Sequence, residues 1–197
     1  QMQTILKKLN HKPLLIHSIY WLDYYASLMG RYKYLQKRIL GDIKDIKKYG
    51  KIYENSSSFW GFLTYFLSAN YYNDFARRSI LGPAQRKTFA KKGIEELEQG
   101  LEILPFGPFY SFSYQLLTNL YSQLALLETN KEEKKNLIGK MFKYAHAAEK
   151  AANEYRGGMV RSAGYTSLYR AYRTLFHLSR NKKEKIKNIE DNPSHFK

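Results

Sequence analysis

The chain has 197 residues, a formal net charge of +16, no cysteine, and 44% hydrophobic and 16% aromatic residues. Without cysteine there can be no disulfide, thiolate nucleophile or Cys-based zinc or iron–sulfur site, and this much apolar surface excludes a disordered tail. No apolar run approaches the roughly 20 residues that cross a bilayer as a helix, the longest being Phe59 to Leu67.

Sustained alternation of apolar and polar residues is absent, which predicts an all-α fold of about six to seven helices. The first is expected to start at Pro13, a favoured first-turn residue. Its apolar stripe runs from Leu15 through Tyr25 and Ile43 to Tyr53, so one long helix, or two collinear ones hinged at Gly30, fits equally well. Glu54-Asn55-Ser56-Ser57-Ser58 breaks it and supplies N-caps for a second segment, Ser58 to about Ser79. That segment is apolar on nearly every side and should be the most buried. Gly82-Pro83 ends it, and an amphipathic helix is expected from about Thr88 to Leu104, with Glu95, Glu98 and Glu102 opposite its apolar stripe. Pro105-Phe106-Gly107-Pro108 reads as a turn.

A helix from about Phe109 to Glu128 follows, then one over 131–155 with Asn130 and Glu133 placed as a capping box. Gly157-Gly158 stops it. The last helix begins near Met159, with Tyr165, Leu168, Tyr169, Tyr172, Leu175 and Phe176 expected on its inner side and Arg170, Arg173, His177 and Arg180 on its outer one. Residues 1–181 are therefore expected to form a single all-α helical array, and 182–197 a basic tail that frays.

The stretch Asn70-Tyr71-Tyr72-Asn73-Asp74-Phe75-Ala76 has counterparts around Tyr25, Tyr121 and Tyr172, at spacings of 47, 49 and 51 positions. A tyrosine at a near-constant place in successive helices suits a stacked array. Neighbouring tyrosines lie about 100° apart on a helix, so one ring of the pair is expected inward and the other on a groove wall. Tyr71, Tyr114, Tyr144 and Tyr165 are the candidate partner-binding anchors, each adjacent to or three to four residues from an inward ring. Plain core packing is the competing assignment for every one of them.

The unit Leu116 to Ala125 followed by Met141 to Lys150 resembles a tetratricopeptide-like helix pair, with a large aromatic in the first helix and alanines in the second. The long first helix, with Trp21 and Trp60 in two early helices, resembles a spectrin-like three-helix bundle. Both resemblances imply an interaction scaffold, built either of stacked antiparallel helical hairpins or of linked three-helix bundles. The composition, rich in Lys, Ile, Asn and Tyr, is similar to helical domains of spirochaetal cell-envelope proteins. That similarity implies a periplasmic or envelope location, with a cytoplasmic one left open. The Gln1-Met2-Gln3 start looks like a processed end, which leaves room for a removed leader or lipid anchor.

The chemistry-bearing residues point away from catalysis. His11 and His17 are six apart and the other histidines are scattered, so no metal constellation is formed. Glu95, Glu98 and Glu102 read as a solvated face. No GxSxG, GxxxxGK[ST] or GxGxxG occurs, so no catalytic residue, metal, cofactor or small-molecule substrate is expected. The charge is carried by the ends: residues 1–55 hold 11 Lys/Arg against 4 Asp/Glu, and residues 156–197 hold 10 against 3. Such ends suit an acidic protein, an anionic membrane surface or a phosphate backbone. The basic surface is expected at Arg170, Arg173, His177, Arg180, Lys182 and Lys183. The function these features imply is a non-enzymatic adaptor that binds another, acidic protein through a tyrosine-lined helical groove. The alternative is sequence-nonspecific nucleic-acid binding by the basic C-terminal helix.

Overall fold

The computed structural model describes residues 5, 8, 10, 14, 15, 18, 32–51, 59–103, 109–155 and 157–179. Six α-helices are seen, and no strand occurs among the described residues. They are α1 (Tyr32–Gly50), α2 (Phe59–Arg77), α3 (Pro83–Ile103), α4 (Phe109–Leu127), α5 (Lys131–Tyr155) and α6 (Gly158–Leu178). None of them is long and apolar enough to cross a membrane. The expected start at Pro13, the Gly30 hinge, Tyr25, the Glu54–Ser58 break, the turn at 105–108 and the tail 182–197 lie outside the described residues.

Contacts divide the chain into two compact units, Gln1–Tyr71 with Glu95–Pro105, and Tyr72–Ile94 with Phe106–Lys197. Helices α2 and α3 each contribute residues to both.

In the first unit, Ile43, Ile46, Phe62, Leu63, Leu67, Tyr71 and Leu97 are buried. A methyl added at Gly100 would come within 2.9 Å of Tyr65 Cβ, so α3 and α2 approach closely there. Glu95, Glu98 and Glu102 are exposed, as a solvated face requires, whereas their neighbour Glu96 is buried and accepts a charge-assisted hydrogen bond from Lys47 Nζ. Helix α3 starts at Pro83, five residues before the expected Thr88. Proline fixes a helical φ and its missing N–H costs nothing in a first turn, so it opens this helix rather than closing the previous one.

In the second unit, α4, α5 and α6 pack on one another, each touching the other two. Short links at 128–130 and 156–157 make the consecutive helices antiparallel neighbours. The first link is held by hydrogen bonds: Asn130 Oδ1 accepts from the Glu133 backbone N–H at 3.1 Å, the expected cap of α5. Glu128 Oε1 accepts from the backbone N–H groups of Thr129 and Asn130 at 2.7 and 2.9 Å, and its Oε2 accepts from Lys87 Nζ at 3.1 Å. These bonds, the one from Asn130 foremost, hold the Glu128 carboxyl down at about 2.

The seam between α5 and α6 is tight at Gly164, where an added methyl would lie 2.7 Å from Ala152 Cβ and 3.1 Å from the Ala148 carbonyl oxygen; Ala145, Ala148 and Ala152 of α5 are buried, as are Ser167 and Ala171 of α6. The buried hydroxyl of Ser111, early in α4, lies 3.2 Å from the Ala148 carbonyl and 3.0 Å from that of Val160, where the three helices converge. This seam corrects the expected inner side of α6. Leu168 and Tyr172 are buried, but Tyr165 and Tyr169 are 60% and 57% exposed, and Phe176 is exposed as well. Close approach of two helices selects residues without bulk, so the rings are displaced to the flanks.

Candidate functional site

The four candidate tyrosines have separate fates. Tyr71 is 3% exposed inside the core of its unit, so its ring offers a partner no surface. The roles within the double tyrosine are the reverse of those expected: Tyr72 is the half-buried ring, stacked on Phe89 at 6.1 Å. Tyr114 and Tyr144 are brought together, with ring centroids 5.9 Å apart. Tyr110 on one side and Tyr121 on the other, each 5.5 Å from its neighbour, extend them into a row across α4 and α5. Lys140 and Lys143 lie 5.7 and 5.6 Å from the rings of Tyr121 and Tyr144, within cation–π reach. Burial raises the Tyr114 hydroxyl pKa above its ordinary value, and Tyr110 adds to the effect. Tyr165 stands apart on α6, projecting into solvent.

The basic residues of α6 form the more specific constellation. Arg170, Arg173 and His177 recur at i, i+3 and i+7 and so share one helix face. Arg77, in the last turn of α2, joins them, and the four side chains border a cleft of about 340 Å³. Tyr169 and Leu126 supply its apolar edges. Arg180, Lys182 and Lys183 lie outside the described residues. Nothing adjacent in the sequence foretells that Arg77 meets Arg170; the Arg77-Arg78 pair is the one local sign of positive charge at that helix end.

The floor of the cleft is hydrogen-bonded. Ser122 Oγ and Thr174 Oγ1 are 2.7 Å apart, linking α4 to α6. Gln123 presents its Oε1 to Arg86 Nη2 at 3.2 Å, and Arg86 Nε in turn donates to the Ala76 carbonyl at 2.8 Å. The Gln123 side chain lines the cleft with its oxygen engaged. In the hydroxyl pair one O–H donates to the other, so one hydroxyl hydrogen is not used within the pair.

Among the described residues no carboxylate stands within 4.0 Å of Arg77, Arg170 or Arg173. Burial lowers the Arg170 guanidinium pKa from its ordinary value, and repulsion from Arg77 and Arg173 lowers it further. An arginine does not give up its proton, so the strain persists as positive potential. Arg170 Nε is buried without a hydrogen-bond partner. Asp74, one turn before Arg77, interacts electrostatically with Arg77 and Arg78, which lower its carboxyl pKa, while desolvation is the larger influence and raises it. Among the described residues no group of His, Asp and Glu is placed to hold a metal ion.

Comparison of the chain with protein-family models, with curated proteins and with solved structures finds no match.

Proposed function

We propose that this chain is a non-enzymatic helical scaffold that docks an acidic segment of another protein in the cleft between the end of α2, α4 and α6. The observation that carries the proposal is the convergence of Arg77, Arg170 and Arg173 on one cleft with no carboxylate paired to them. A fold that leaves three guanidiniums facing one another bears a repulsive cost, and a bound anion relieves it. Tyr169, exposed at the rim, adds a rigid amphipathic ring of the kind that anchors protein interfaces. Mutual contact among three consecutive helices supports the scaffold reading, being the arrangement of a spectrin-like bundle.

The same features argue against nucleic acid as the ligand of this cleft. Binding a strand calls for a groove that follows the backbone over several phosphates, with aromatic platforms along it. Here the cations gather round one half-open cleft rather than along an extended groove.

The test is fluorescence anisotropy of the chain with a labelled peptide of alternating glutamate and glycine, alongside a gel shift with an arbitrary oligonucleotide at low salt. The expected result is saturable peptide binding that R173Q weakens, with no shift of the oligonucleotide. Absence of peptide binding, or binding indifferent to R173Q, would overturn the docking site; a shift abolished by R173Q would assign the cleft to nucleic acid.

A further inference from the structure

Resting on the acidic-partner reading, we infer that the group this cleft is built to take is a phosphoryl group carried on the partner protein, rather than a carboxylate. Stoichiometry of charge and of donors both favour it. Three guanidiniums face the cleft, and a carboxylate would bring one negative charge and two oxygens to them. A phosphomonoester brings a charge of about −1.5 to −2 at neutral pH and three strong acceptor oxygens. Each guanidinium offers a planar fork that fits two phosphate oxygens at once.

The geometry of supply matches that demand. Arg170 and Arg173 reach in from one helix and Arg77 from another, so donors approach from two directions, as a tetrahedral anion requires. Gln123 and the Ser122–Thr174 pair line the same cleft and carry neutral amide and hydroxyl groups. Arg170 Nε, buried and unpartnered, is a donor already stripped of water. His177, exposed at the end of the same face, adds a further donor. A volume of about 340 Å³ accommodates a phosphorylated side chain, with the peptide on either side lying across the exposed ring of Tyr169.

Isothermal titration calorimetry of the full chain in phosphate-free, low-salt buffer tests this. The ligands are three acidic heptapeptides that differ only in a central phosphoserine, glutamate or serine, with inorganic phosphate as a fourth. The phosphoserine peptide is expected to bind at least tenfold more tightly than the glutamate peptide. R173Q, at an exposed position where folding is least affected, is expected to remove at least tenfold of that affinity. R173K, which keeps the charge without the fork, should recover part of it. R161Q, on the exposed first turn of α6 outside the cleft, should bind as the wild type does. Circular dichroism of each variant separates loss of the site from loss of the fold, and R77Q gives a second variant from another helix. Equal affinity for the phosphoserine and glutamate peptides would overturn the phosphoryl assignment and leave the acidic-partner reading standing. Silence from all four ligands would overturn both. Inorganic phosphate binding as tightly as the phosphoserine peptide would overturn the protein-borne source, because the site would then read a free ion.

Discussion

Adding one methyl group to Gly164 tests how the C-terminal bundle is held together. The new Cβ would lie 2.7 Å from Ala152 Cβ and 3.1 Å from both the Ala148 carbonyl oxygen and Glu149 Cα. Carbon atoms pack best at about 3.5–4.0 Å, so α5 and α6 would have to part by roughly 1 Å at that level. Overpacking of this kind costs about 1–3 kcal/mol. Replacing a helical glycine by alanine returns about 1 kcal/mol of backbone entropy, so G164A is expected to lose between about 0 and 2 kcal/mol net. Gly139 on α5 supplies the control, because a methyl there meets nothing within 4 Å and only the favourable part applies. G139A should therefore gain about 1 kcal/mol, and the two chemically identical substitutions should differ by about 1–3 kcal/mol. Urea denaturation followed by far-ultraviolet circular dichroism measures this difference directly. If G164A stabilises the chain as much as G139A does, the close seam between α5 and α6 is not there.

Three other substitutions probe different bonds. Ser111→Ala removes the buried hydroxyl shared by the carbonyls of Ala148 and Val160, and denaturation should show a loss of about 1 kcal/mol. Ser122→Ala leaves the buried Thr174 hydroxyl without its partner and should cost about 1–3 kcal/mol, whereas S122A combined with T174V should lie much closer to the wild type; a double variant as damaged as the sum of the singles would contradict the pairing. Glu128→Gln tests the link between α4 and α5 through pH. The Glu128 carboxyl is lowered from 4.5 to about 2 in the folded chain, so its stabilisation is fully present above pH 4.5 and is lost as pH falls towards 2. Urea midpoints of wild type and E128Q should therefore converge across that window, and a gap that stays constant would refute the assignment.

Much of the helix layout could be read from punctuation. Asn130, Gly157 and Gly158 mark helix ends through local chemistry alone, since a cap or a break acts within a few residues, and the structure places the ends of α5 there. Pro83 was ambiguous for a physical reason: proline is excluded from a helix interior and favoured in its first turn, so the same residue closes one helix or opens the next. The inner face of α6 was read correctly at Leu168 and Tyr172 but not at Tyr165, Tyr169 and Phe176, because large aromatic rings suggest burial, while the small residues Gly164, Ser167 and Ala171 are buried in their place. The alanines at Ala145, Ala148 and Ala152 were the available sign, since small residues at helical spacing permit the close approach found at Gly164. The inversion of Tyr71 and Tyr72 is a helix rotation of about 100°, which periodicity fixes poorly in a segment apolar on nearly every side. The cleft was the least legible feature. Arg170, Arg173 and His177 share a face that spacing reveals, but Arg77, Ser122 and Gln123 reach them only through tertiary packing.

The seam and the cleft have a common cause. A helix that buries Gly164, Ser167, Leu168, Ala171 and Thr174 has its rotation fixed, because only that stripe is narrow enough to face α5 and α4 at close range. Once the rotation is set, the side chains between those positions have no choice of direction. Tyr169, next to buried Leu168, is turned to solvent, and Arg170, next to buried Ala171, is carried half under the surface towards Arg77. Freed to rotate, α6 would carry Arg170 and Arg173 together away from Arg77 and relieve that part of the repulsion. The tight packing of small residues therefore opposes the electrostatic preference of the cations, and the cleft exists because packing wins. In the proposed docking role, the cost of gathering the arginines is met in folding, so an anionic partner would not have to assemble them on arrival.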